Sequence, residues 1–213
     1  MCSQEVALAQ GAALQQAIEV PLQYLQAGTN LATAALAGAR RYEAYRHYPR
    51  SDVVAQAQRT RFFYHGHASS CTPRQEHGHF HLFVEHADGI TPAYSHLVAL
   101  ALDQHGLPLR WFTTNRWVTG ERWCAAPSLQ AQLPQLQWHS RGRLAPVARW
   151  LSAMVQLFQG EITELLQQRD AALAAIDGGL SLEQRFELRS VDVLSTCDAS
   201  LANRLAGADL AAA

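Results

Sequence analysis

The feature that most constrains the fold is an alternation between Phe62 and Glu85 that only an extended chain can present on two faces. Side chains alternate across a strand. In His77-Gly78-His79-Phe80-His81-Leu82-Phe83-Val84-Glu85 the histidines therefore share one face with Phe83 and Glu85, while Gly78, Phe80, Leu82 and Val84 form an ordinary core face. On the segment before it, Phe63, His65 and His67 share a face, with Phe62, Tyr64 and Gly66 opposite. Residues 68–76 are long enough to close an antiparallel hairpin. One register sets His67 across from His77 and His65 across from His79. A slip of one residue would separate the two histidine sets, so the matched polarity favours registers that bring them together.

Around this hairpin the period changes. From Val6 to Tyr45 apolar residues recur three and four apart (Leu14, Ile18, Leu22, Leu25), which predicts two helices broken at Gly28-Thr29-Asn30, the first with Pro21 inside it. Pro49 stops the second, and Ser51-Asp52 is read as the cap of a short helical segment. Strands are expected at 62–67, 77–85, 96–102 and 109–114, with a possible last one at 186–189. Asp103-Gln104-His105-Gly106 has turn chemistry. Leu144, Val147, Leu151, Met154 and Phe158, continued by Ile162 and Leu165, predict one kinked helix or two meeting near Gly160. A final helix is expected through Leu194, Cys197, Leu201 and Leu205. The order of helices, strands and helices is that of an α+β fold. One domain over 1–213 is the economical division: helical to 60, an antiparallel sheet over 61–118, helical over 119–206, and a frayed tail at 207–213.

Composition excludes more than it assigns. All 17 basic residues are Arg, so Schiff-base and P-loop lysine chemistry are absent. A formal net charge of −1 offers no general attraction to phosphate backbones or anionic lipid, and a small molecule is the expected partner in place of nucleic acid or membrane. Cys2, Cys71, Cys124 and Cys197 have no Cys-x-x-Cys spacing, no eighteen apolar residues run together, and neither a secretion signal nor a transmembrane segment is expected. A cytoplasmic bacterial protein with reduced thiols is expected.

Six of the ten histidines lie between His65 and His86. Directly opposed strand residues have Cβ atoms about 5 Å apart, and i, i+2 neighbours are about 6.6 Å apart, so imidazoles from two strands can converge on one ion. His77 and His81 are about 13 Å apart along an extended strand, too far to share an ion with His79. The candidate ligands are thus drawn from His65, His67, His77, His79 and His81, two from the second strand and one from the first. Zinc, iron or copper suits such a set, with an open position for water or substrate. Glu76 or Glu85 can orient a ligand or act as general base, and His79, Glu76, Tyr64 and Arg116 are the candidate catalytic groups. His47, His86, His96, His105 and His139, taken singly, are expected to be packed or solvent-facing. Two alternatives stay open: metal-free acid–base or phosphate chemistry, and a non-catalytic module that binds haem or another small molecule.

His77 to Phe83 resembles the histidine-triad signature, His-φ-His-φ-His-φ-φ, of nucleotide hydrolases and transferases, with Gly78 at a φ position. That likeness implies a nucleophilic His79. A second dense run, Phe112-Thr113-Thr114-Asn115-Arg116-Trp117-Val118-Thr119-Gly120-Glu121, offers Asn115, Arg116 and Glu121 as substrate-binding groups. Arg116 suits a small anion, with Thr119 read as a helix cap. The same run also reads as core aromatics around an Arg116–Glu121 ion pair. Together, Phe63-Tyr64-His65-x-His67, Gly78-His79-Phe80-His81-Leu82-Phe83 and the Phe112–Glu121 run resemble an uncharacterised bacterial family of hypothetical proteins over about 48–189. The likeness implies no activity.

Overall fold

The structure, a computed structural model, describes residues 3–68, 75–86, 93–176 and 178–205. Its centre is a six-stranded antiparallel sheet in plain sequence order: β1 (Tyr48–Ala55), β2 (Thr60–His65), β3 (Glu76–His86), β4 (Ala93–Asp103), β5 (Pro108–Thr114) and β6 (Val193–Asp198). The helices are α1 (Ser3–Gln26), α2 (Leu31–Ala35), α3 (Arg116–Thr119), α4 (Ala126–Gln130), α5 (Ala145–Leu157), α6 (Gln159–Ala175) and α7 (Leu182–Phe186). This is the α+β class, with six strands where four or five were expected. Among the described residues no helix is long and apolar enough to cross a membrane.

The two faces of the sheet differ in what covers them. Phe62, Tyr64, Phe80, Leu82, Val98, Leu100 and Trp111 point into one core with α1, α5 and α6, where Trp150, Leu151 and Met154 are fully buried. α6 lies along β5 and β6, and α5 packs on α1. The break at Phe158 divides α5 from α6, close to the expected position at Gly160. At the β4–β5 turn the Asp103 carboxylate accepts N–H bonds from His105 and Leu107, both 2.8 Å, and Gly106 sits at φ +79. A Cβ there would lie 2.7 Å from the Leu31 nitrogen, so glycine lets the turn close on α2.

Four segments differ from the sequence reading. The second helix ends at Ala35, where Ala37 and Gly38 turn to positive φ, and Ser51-Asp52 lies in β1, not in a helix cap. Asn30 caps α2 instead, its side chain accepting from the Thr33 N–H. The expected strand at 186–189 is instead the last residue of α7 and the turn after it, a helix that starts from the reciprocal capping box of Ser181 and Gln184. Of the expected helix through Leu194, Cys197, Leu201 and Leu205, the first half is β6, paired with β5 through Trp111↔Cys197 and Thr113↔Ser195, and residues 201–205 are helical. Its leucine spacing mimics a helix, but the free edge of β5 supplies a ladder that an isolated helix lacks. Most of the hairpin connection (69–74) and the 207–213 tail lie outside the described residues.

Candidate metal centre

The second face of the sheet carries the imidazoles. Two cross-strand rows build it: His65↔His79↔Ala101↔Arg110 and Phe63↔His81↔Ala99↔Phe112. In these two rows strand β4 contributes only methyl groups, Ala99 and Ala101, between the rings on β3 and the larger side chains of β5. The result is a trough above the middle of the sheet. It opens as a cavity of about 430 Å³ lined by His65, His79 and His81, with Arg110, Phe112 and Thr114 on the β5 side.

The His65↔His79 register is one the sequence favoured, and it turns three Nε2 atoms toward one point. His65 Nε2 lies 2.8 Å from His79 Nε2 and 3.2 Å from His81 Nε2. The ligand atoms of all three lie within 4.8 Å of one another, so the triad can hold a metal ion. Zinc–imidazole bonds of about 2.0–2.1 Å at tetrahedral angles place nitrogens about 3.3 Å apart, so small ring rotations would seat an ion. Without a cation, one proton on His65 Nε2 serves one of the two contacts and leaves lone pairs facing each other across the rest.

The outer nitrogens of the triad are held from behind. His79 Nδ1 is 2.6 Å from Glu76 Oε1, and a carboxylate only accepts, so the Nδ1–H points outward and, when the ring is neutral, the Nε2 lone pair points inward. Arg110 donates to the other Glu76 oxygen at 3.1 Å. Burial by itself raises the Glu76 carboxyl, but hydrogen bonds and charge attraction from His79 and Arg110 outweigh it and hold it below the ordinary value. His81 Nδ1 is 3.0 Å from His96 Nε2, and His96 Nδ1 is 3.2 Å from Thr114 Oγ1. A His81 with its Nε2 lone pair inward donates to His96, which then donates to Thr114. A β-bulge between Leu82 and Phe83 sets His96 in this place.

Burial, reinforced by His79, His67 and His47, pushes His65 down to about 2, and burial with its histidine neighbours holds His81 well below the usual value. His96 falls to about 3 through burial and then the charges of Arg169, His79 and Arg61. Neutral imidazoles are the form a cation requires.

The structure divides the five hairpin histidines. A bulge between Glu76 and Gly78 turns His77 onto the core face, where its Nδ1 meets the Tyr64 hydroxyl at 2.8 Å, so the expectation that all five share a face is corrected. The same bulge brings Glu76 to the imidazole face. Gly78 is required there, since a Cβ would lie 2.7 Å from the Tyr64 hydroxyl. Tyr64 is fully buried on the core side and its phenol is pushed up by that burial, away from the cavity. His67 lines the cavity with its ring 5.3 Å from that of His79, outside the converging set of three. Its pKa is lowered, chiefly by burial.

A family model described as a domain of unknown function, DUF6969, matches residues 11–199. The chain belongs to the DUF6969 family. The match spans all six strands and every residue of the imidazole cluster. No curated protein and no solved structure matches the chain.

In this DUF6969 chain the Phe112–Glu121 run is split by the sheet face it serves. Phe112, Thr114, Trp117 and Val118 line the cavity. Asn115 caps α3, accepting from the Arg116 N–H and donating to the Arg185 carbonyl. Arg116 points away, donating to Glu183 and Glu187 at 2.9 Å each, with no bond to Glu121. Thr119 ends α3 where it was read as a cap for a following helix. It donates to Glu121, whose carboxylate also accepts the His96 N–H. Burial raises the Glu121 carboxyl to about 7 against these bonds.

Arg110, His96 and Thr114 were not among the residues that spacing selected. The signal for them lies on the neighbours: Ala99 and Ala101 alternate on β4 in phase with His79 and His81, which marks a face kept open.

Proposed function

We propose that this chain is a metalloenzyme in which His65, His79 and His81 bind one transition metal ion, zinc, iron or copper, through Nε2. The observation that carries the reading is the convergence of three imidazole Nε2 atoms on one point at the floor of a cavity. Three protein ligands leave at least one position for water or a substrate oxygen, where the ion acts as a Lewis acid or supplies redox chemistry. Glu76 and the His96–Thr114 pair would fix ring orientation and tautomer. Arg110, not Arg116, is the guanidinium beside the cavity.

His79 paired with Glu76 also has the form of an oriented acid–base histidine, which favours metal-free catalysis at His79 as a second reading. Haem suits the site less well, because the three nitrogens face one another and none presents a free axial lone pair to a macrocycle. Elemental analysis of protein purified without a histidine tag tests the first reading, together with thermal unfolding with and without chelator. Near-stoichiometric metal and a melting temperature lowered by chelator are expected. Less than about a tenth of an equivalent of any transition metal, with full indifference to chelator, would favour the metal-free reading.

A further inference from the structure

The walls of the cavity say what class of molecule would meet the ion, an inference that rests on the metal reading above. At about 430 Å³ the space is near the small end of ligand cavities, which run about 300–1,000 Å³. Its charged side chains apart from the imidazoles are one cation, Arg110, and two carboxylates, Glu76 and Asp192, which sum to −1. The Arg110 guanidinium is committed to Glu76 and lies 4.5 Å above the Phe112 ring. The wall therefore supplies no surplus positive charge, and the ion is the place where an anionic group would be attracted.

Several polar atoms of the wall are also spent on the protein itself. Thr114 Oγ1 faces His96, Trp117 Nε1 donates to the Val191 carbonyl at 2.8 Å, and Asp192 Oδ1 accepts from the Val193 N–H at 2.8 Å. What these residues and their neighbours offer a ligand is carbon: the Phe112 ring, the Trp117 indole, Val118 and Val193. A sugar or phosphate ester would lose more solvating water here than this wall returns in hydrogen bonds. A flat ring would gain edge and face contacts with the aromatics and dispersion from the valines.

We propose that the site takes an aromatic monoanion, a small planar ring bearing one carboxylate or phenolate head. The head oxygen occupies the open metal position and the ring lies against Phe112, Trp117, Val118 and Val193. Cobalt(II) in the full chain provides the readout, because its visible absorption reports the ligands around the ion. Benzoate, acetate and inorganic phosphate are titrated into the cobalt-loaded protein. Benzoate should perturb the band with a Kd at least about tenfold lower than acetate, the scale of burying one ring, and phosphate should bind no better than acetate. Equal affinity for acetate and benzoate, or tightest binding by phosphate, overturns the substrate class and leaves the metal reading standing. Absence of any cobalt band overturns the metal reading and this one with it. Val118→Phe fills the wall side of the space, so it should weaken benzoate about tenfold while the cobalt band and acetate affinity persist. Unchanged benzoate affinity in that variant would place the ligand elsewhere and sink the proposal.

Discussion

The hairpin and the Phe112–Glu121 run look alike as sequence, both dense in side chains that bind things, yet the fold uses them in opposite ways. On the hairpin, His65, His79 and His81 aim the same ring nitrogen at one another, and among the described residues no other side chain completes them. In the second run the polar groups find complements within the chain: Asn115 with Arg185, Arg116 with Glu183 and Glu187, Trp117 with Val191, Thr119 with Glu121. A group already satisfied stabilises the fold. Convergent groups of one kind, costly to bury unmet, imply something from outside.

The sharpest way to break the contrast is to remove one converging ring. His79→Ala should lower the affinity for zinc or cobalt by at least about a hundredfold, beyond the 10–100-fold typical of losing a supporting partner. His105→Ala, in the β4–β5 turn, should leave affinity unchanged. Equilibrium dialysis decides it, and equal affinities in the two variants would mean that the rings are packing.

Glu76→Gln tests the layer behind the rings. The amide keeps the shape but loses the charge that holds the His79 Nδ1–H, so metal affinity should fall about 10–100-fold. Competition against a chelator of known affinity measures this, and an unchanged constant would mean that Arg110 alone defines the position of residue 76.

How much of this was legible beforehand follows from the same physics. The period of two along Phe62–Glu85 carried the hairpin, the core face and the His65↔His79 register, since strand alternation is set by the backbone. It could not carry the bulge at Glu76–Gly78, which depends on Tyr64 crossing over Gly78 and which exchanges His77 for Glu76 at the site. β1 and β6 were hidden for a related reason. Edge strands are defined by the neighbour they pair with, and β6 comes from more than 70 residues after β5, with a leucine spacing that reads as helix. The trough was written in Ala99 and Ala101, but small residues signal a space only once the strands beside them are known.

A subtler contrast lies between two carboxyls on either side of the imidazoles, Glu76 held below its ordinary range and Glu121 raised to about 7. A folded Glu121 keeps its proton to about pH 7, whereas the unfolded chain releases it near 4.5. The stability it contributes is complete below that lower value and is lost as pH rises through the upper one. The buried histidines slope the other way. His65 and His96, lowered to about 2 and about 3, cost stability as pH falls below 6.5, where the unfolded chain takes up protons first. Glu121→Gln preserves an acceptor oxygen for the His96 N–H and the Thr119 hydroxyl while removing the buried charge. It should match the parent near pH 4.5 and exceed it by about 1–3 kcal/mol at pH 8. Denaturant unfolding of the metal-free protein at the two pH values measures the difference, and parallel pH curves would mean that the Glu121 carboxyl is ionised in the fold.

The smallest effect belongs to the residue that looked most like a substrate clamp. Arg116 donates to Glu183 and Glu187, carboxylates whose side chains are 72% and 50% exposed, and its guanidinium lies 4.8 Å from the centre of the Phe186 ring. Exposed pairs of this kind are worth about 0–1 kcal/mol, since water and salt screen them and long side chains lose rotamer freedom in forming them. The stacking on Phe186 adds on the order of 0.5–1 kcal/mol. Arg116→Ala should therefore destabilise the fold by about 1 kcal/mol, more at low salt than at high, and leave both cobalt absorption and benzoate affinity as they were. Arg110→Ala, beside the cavity, should change the benzoate titration by freeing Glu76 and uncovering Phe112. A loss of benzoate binding in Arg116→Ala that Arg110→Ala does not share would reverse the assignment of the two guanidiniums and return the anion site to the second run.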